Sequence, residues 1–167
     1  MTGQVRSSYR RIGDLLSQVA NAVGGLLFIT AFGGFIVQIF FRYVIGEPLR
    51  WTEEFTMIAF IWTVFWVAAF VVPIREHVSF DVVYDVVSPR VRRVFAIFSM
   101  VMVIAAFGIL IPYTLEYLDF LQRRRSPVMR WPMHWIYGCY LLFVVGFALK
   151  AAARLFLLVG PDWRAEI

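Results

Sequence analysis

Apolar residues in this chain collect into four long runs, Val19–Phe41, Phe55–Val72, Val94–Leu115 and Trp135–Val159, and almost every charged side chain lies between them. An α-helix rises about 1.5 Å per residue, so about 20 residues cross a hydrocarbon layer roughly 30 Å thick. Each run is close to that length. Inside a bilayer the backbone must satisfy its own hydrogen bonds, which a helix does. The pattern predicts an all-α integral membrane protein, four spanning helices in a single domain over residues 1–167, with connections too short for a second folded unit.

The polar positions add detail at the ends of the runs. Ahead of the first run, Ile12, Leu15, Leu16 and Val19 recur at helical spacing behind Arg6, Arg10 and Arg11, as in an interfacial helix leading into the membrane. The run continues to Phe41 without a small-residue cleavage site, so a retained first span is expected rather than a leader. Gly24–Gly25 and Gly33–Gly34 are small surfaces where a neighbouring helix could approach closely, or simply glycines that a membrane helix tolerates.

In the segment Arg42–Glu54, Gly46 and Pro48 mark a turn, Thr52 is expected as the N-cap of span two, and Glu53 and Glu54 as acidic partners of its dipole. Trp51 marks the interface. Span two is rich in Phe and Trp and closes at Pro73. The stretch Pro73–Arg93 carries Phe80, Val82, Val83, Val86 and Val87 on one helical face, with His77 and Asp81 four apart, which predicts a short interfacial helix stopped by Ser88–Pro89. Span three is nearly devoid of polar groups, Ser99 being the exception before Pro112, and it ends in a loop with Arg123, Arg124 and Arg125; span four ends near Lys150 and Arg154, whose long stems suit snorkelling to headgroups.

Composition agrees with this layout. Hydrophobic residues are 61% and charged residues 16%, well away from a soluble domain. The net charge of +5 comes from fifteen Arg and one Lys spread over span ends, a distribution suited to phospholipid headgroups and not to nucleic acid. With an even number of spans the termini share a side, which collects ten basic residues (Arg6, Arg10, Arg11, Arg75, Arg90, Arg92, Arg93, Lys150, Arg154, Arg164) against six on the other (Arg42, Arg50, Arg123, Arg124, Arg125, Arg130). The positive-inside rule then places both termini in the cytoplasm.

The middles of the runs contain no Asp, Glu, Lys, Arg or His, the groups that a carrier of ions or protons needs at the bilayer centre. Asn21, Thr30, Gln38 and Thr63 are the polar exceptions, and interhelical hydrogen bonding is the expected use for each. The two histidines, His77 and His134, fall in successive loops at opposite membrane faces and cannot clamp one haem iron. The single cysteine, Cys139, leaves no disulfide or cysteine-based metal cluster within the chain, and no nucleophile–base set is visible. The expectation is a protein without enzymatic activity and without its own cofactor or metal.

One ordered set of motifs is more specific. Arg42-Tyr43, then Pro48-Leu49-Arg50-Trp51-Thr52-Glu53-Glu54, and, beyond a span, Arg75-Glu76-His77-Val78-Ser79-Phe80-Asp81 resemble the small membrane subunit, DctQ type, of tripartite ATP-independent periplasmic (TRAP) transporters. The segment Ser126-Pro127 followed by Pro132-Met133-His134-Trp135-Ile136-Tyr137 is similar to that family more loosely, and Ala68-Ala69 departs from it where a Gly is expected. The resemblance implies a non-catalytic subunit in a bacterial inner membrane. It would brace a large membrane subunit that moves substrate by a sodium-coupled elevator motion. A periplasmic binding protein would deliver an organic acid, and sodium would bind in the large partner. The reading from another class is a membrane anchor of a respiratory enzyme.

Site residues follow from both lines of reasoning. Glu53 and Glu54 either cap and solvate the start of span two or form a clasp with Arg42, or with the large subunit, at the membrane face they share. Trp51 joins this structural set, and His77 with Asp81 orients the interfacial helix. Arg123, Arg124 and Arg125 contact either headgroups or the periplasmic binding protein, and Lys150 and Arg154 contact lipid on the far side.

Overall fold

The computed structural model describes residues 2–73 and 88–160. Helix α1 runs from Thr2 to Phe40 without a break, so the expected interfacial segment and the first span are one continuous helix. It passes into a π-helical turn, Phe41–Ile45, and stops at Gly46, whose φ of 79° is the left-handed conformation that ends a helix at low cost for glycine. Helix α2, Arg50–Trp66, also finishes in a π turn, Val67–Val71, in which Val72 N–H donates to the Val67 carbonyl at 2.9 Å. Val72 is extended (ψ 127°), as a residue before proline prefers, and Pro73 confirms the expected end of the span.

Helix α3, Pro89–Leu121, has Ser88 as its N-cap residue and Pro89 in its first turn, where a missing N–H costs nothing. Pro112 lies inside this helix rather than near its end, and the helix continues well past Leu115. Helix α4 spans Met133–Val159. All four helices are long and apolar enough to cross a membrane. The interfacial helix expected before Ser88, with His77 and Asp81, lies outside the described residues.

Helix contacts run α1 with α2, α2 with α4, and α4 with α3, while the remaining pairs meet marginally at most. The helices thus stand in a row, α1–α2–α4–α3, and do not close into a four-cornered bundle. Two features knit the row. Small residues let backbones approach: a Cβ on Gly24 would touch Val67 at 3.3 Å, and one on Gly146 would touch Phe70 at 3.3 Å. Aromatic rings then cross from α2 through α4 to α3, with Phe65 against Phe143 at 5.5 Å, Phe143 against Phe107 at 5.8 Å, and Phe107 against Phe147 at 5.1 Å. A small cluster of Ala96, Met100, Ala151 and Leu158 closes the α3–α4 seam. The edge helices α1 and α3 bury less of their apolar stretch than α2 and α4 do.

Candidate functional site

The polar architecture of the protein is concentrated at the two ends of the row. At the Gly46 end, Leu49 is the N-cap residue of α2, and Thr52 stands inside the helix. The expectation of a Thr52 cap is corrected: its hydroxyl donates to the Leu49 carbonyl at 2.6 Å, and the side chain is buried. An extended Leu49 behind Pro48 starts the helix before the threonine is reached. The register shift separates the two glutamates. Glu53 remains in the first turn, exposed, with Gln38 Nε2 of α1 at 3.4 Å from its Oε1.

Glu54 faces the other way, toward the α3–α4 connection. Its Oε2 accepts the backbone N–H groups of Val128 at 2.8 Å and Met129 at 3.2 Å. The connection is folded for this contact. Ser126 N–H donates to the Trp131 carbonyl at 2.8 Å, Trp131 N–H donates to Ser126 Oγ at 2.9 Å, and Met133 N–H donates to the Arg124 carbonyl at 3.0 Å. An isolated antiparallel bridge pairs Arg125 with Pro132. Arg130 takes a left-handed φ of 55°, which lets the chain double back, and Ser126 is buried beneath the tip. The result is a compact loop whose tip is pinned to the first two turns of α2.

This geometry displaces the expected clasp. Among the described residues Arg42 forms no ion pair with Glu53 or Glu54; it is exposed in the π turn with its guanidinium 5.8 Å from the Tyr43 ring centroid. Trp51 is exposed, with its ring 6.3 Å from that of Phe55, as an interfacial tryptophan would be. Arg123, Arg124 and Arg125 are all exposed. The Arg124 guanidinium lies 4.8 Å from the Phe120 ring centroid, and Arg125 Nη1 lies 3.5 Å from the Arg130 carbonyl. The loop therefore holds a cationic face outward on a fixed frame.

At the Pro73 end, cations meet helix C-termini, whose last carbonyls lack partners within the helix. Arg93 Nε and Nη2 donate to the Leu158 and Val159 carbonyls at 2.9 and 3.1 Å, tying the start of α3 to the end of α4. Lys150 Nζ lies 3.4 Å from the Val72 carbonyl at the end of α2. The lysine expected to snorkel to lipid is thus turned inward as a cap, while Arg154 is half-buried on the same helix one turn later.

Two of the polar exceptions within the spans behave differently from expectation. Thr30 and Thr63 donate to carbonyls of their own helices, Leu26 at 2.8 Å and Ala59 at 2.7 Å. Of the four residues, only Gln38 has a hydrogen bond to another helix among those described. The interhelical bond that sequence reasoning missed comes from Trp66, whose Nε1 donates to the Ala20 carbonyl of α1 at 3.0 Å. An indole N–H inside an apolar span is itself the signal, since it requires an acceptor when removed from water.

Comparison with known proteins comes to the same point. The family model described as Tripartite ATP-independent periplasmic transporters, DctQ component, matches residues 31–160. The chain is similar to the sialic acid TRAP transporter permease protein SiaT of Haemophilus influenzae (strain 86-028NP), with 31% identity over 78 residues. That match covers 47% of this chain and 13% of the relative, so the chain corresponds to a small part of that protein's length. No solved structure matches.

Proposed function

Because the chain belongs to the DctQ component family of tripartite ATP-independent periplasmic transporters, a transporter component and not an enzyme, we propose that it is the small membrane subunit that braces a large, sodium-coupled elevator subunit. The observation that supports this role is the absence of ionisable side chains from the centres of all four spans. Such a chain has nothing with which to bind and release a charged solute or its driving ion at the midplane. It does have a rigid row of helices, pinned at both ends, with broad apolar faces. A mover needs a neighbour that does not move, and a wide row resists tilting in lipid.

In this reading the protein lies in a bacterial inner membrane with both termini in the cytoplasm. A periplasmic binding protein delivers an organic acid to the complex. The Glu54-pinned loop faces that compartment and offers Arg123, Arg124 and Arg125 to headgroups or to the binding protein. The remaining expected residues take structural roles: Arg42 and Trp51 at the periplasmic interface, and His77 and Asp81 at the cytoplasmic one.

Reconstitution tests the proposal. Purified with the large subunit and supplied with the binding protein, the chain should support sodium-driven uptake into proteoliposomes; alone it should support none. Uptake by the isolated chain on an ion gradient would overturn it. Charge reversal at Arg123, Arg124 and Arg125 should slow uptake at low salt if the binding protein docks there. A compensating reversal on the binding protein should then restore it.

A further inference from the structure

The α3–α4 loop gathers positive charge without neutralising it. Between Gln122 and Trp131 the chain carries four arginines and no acid. Folding brings two of them closer: the Arg125–Pro132 bridge closes the neck of the loop, and Arg125 Nη1 lies 3.5 Å from the Arg130 carbonyl. Like charges held side by side repel, and an anionic partner relieves them. Arg130 also takes a φ of 55°, a conformation unfavourable to a residue with a Cβ.

Glu54 is the acid seated against this loop, and its Oε2 is spent on backbone. It accepts the Val128 and Met129 amides, at 2.8 and 3.2 Å. Arg123, Arg124, Arg125 and Arg130 all stay exposed. Arg124 lies over the Phe120 ring of α3. Arg125 and Arg130 flank the pair of hydrogen bonds that joins Ser126 to Trp131, so their backbone is fixed from both sides.

We infer that Glu54 is a positioning residue for protein recognition: by fixing the loop it sets Arg123, Arg125 and Arg130 in a spacing that an acidic face of the periplasmic binding protein meets. The inference rests on the reading of the chain as a TRAP small subunit, and adds which partner the loop takes and which residue prepares it. Phospholipid headgroups diffuse, and each can follow a flexible arginine wherever its stem reaches, so a fixed backbone adds nothing to their binding. A folded protein presents its carboxylates at fixed separations. Against such a surface, a loop ordered in advance avoids the entropy of ordering at each encounter.

The test reads binding without transport. The chain and its large subunit are assembled in nanodiscs of phosphatidylcholine alone, or with phosphatidylglycerol added, and labelled binding protein is titrated against them. Wild type should bind in both discs, with a dissociation constant that rises with salt. Arg123→Gln, Arg125→Gln and Arg130→Gln together should raise that constant about tenfold and flatten its salt dependence, with recovery of the large subunit unchanged. Glu54→Ala should raise it about fivefold by itself and not at all in the arginine-substituted background, because it acts through the arginines. Lower recovery of the large subunit, or equal weakening in both backgrounds, would show a merely structural Glu54 and overturn the inference. Should Glu54→Ala fail to fold, the exposed arginines decide: a constant unchanged by their replacement overturns it, as does a shift seen only in discs that contain phosphatidylglycerol. Each of these results leaves the subunit reading standing. A wild-type complex that binds no binding protein in either disc sinks both.

Discussion

At the scale of single residues, Glu54 shows how a carboxylate beside a helix start can serve something other than the helix. Its neighbour Glu53 occupies the first turn, where the dipole favours it. Glu54 has rotated toward the α3–α4 loop and accepts two backbone amides there. Replacement by alanine would leave both amides without an acceptor, at a cost of about 1–3 kcal/mol. Glu54→Ala should therefore lower the thermal midpoint and speed amide exchange at Val128 and Met129, while Glu54→Gln, which keeps an acceptor oxygen, should change both less. Exchange at those two amides that does not respond to Glu54→Ala would remove this role. The contact joins residues 74 positions apart, and no local spacing announces such a partner. What the sequence did announce was that Arg42, Glu53 and Glu54 share a membrane face; pairing among them failed because the π turn leaves the Arg42 side chain exposed over Tyr43.

At the scale of elements, the glycine doublets separate into members that pack and members that do not. A Cβ on Gly34 would lie 2.8 Å from Thr56 Oγ1 and 3.2 Å from Phe55, whereas one on Gly33 would meet nothing within 4 Å. The same division holds for Gly24 and Gly25. Gly34→Leu should prise α1 from α2 and destabilise the protein by about 1–3 kcal/mol, with Gly33→Leu close to neutral, as read from thermal melts in detergent. Equal melts for the two would refute close packing at Gly34. Helix termini give a second expectation. Arg93→Ala removes the donors at the Leu158 and Val159 carbonyls and should fray the end of α4, seen as faster amide exchange over Phe156–Val159 than in wild type. Span number and the stop before Pro73 were legible because hydropathy and proline act locally. The true start of α2 and the length of α3 were not: Thr52 has the residue type of a cap, but the backbone turned at Leu49, and Pro112 sits within a helix that runs on to Leu121.

At the scale of the whole molecule, the row α1–α2–α4–α3 leaves large apolar side chains exposed on every helix, including Phe32, Phe60, Phe98 and Phe156. Hydropathy alone could not distinguish this row from a closed bundle, since lipid and a neighbouring helix are equally apolar to a side chain. A partner that binds only the folded chain must raise its apparent stability, by an amount that grows with the logarithm of concentration over dissociation constant. The thermal midpoint of this chain should accordingly rise when the large subunit is present in the same micelle. A midpoint unmoved by a bound partner would mean that binding does not discriminate the folded state.

The serial order of contacts also bears on biogenesis. α1 and α2 pair with each other, as do α3 and α4, and among the described helices the main join between the two hairpins is α2 with α4. During synthesis the first hairpin can assemble in the bilayer before α4 leaves the ribosome, and the second hairpin then docks as a unit. Glu54, made early, waits for amides made late; its carboxylate is the latch that closes only when both halves have arrived in register.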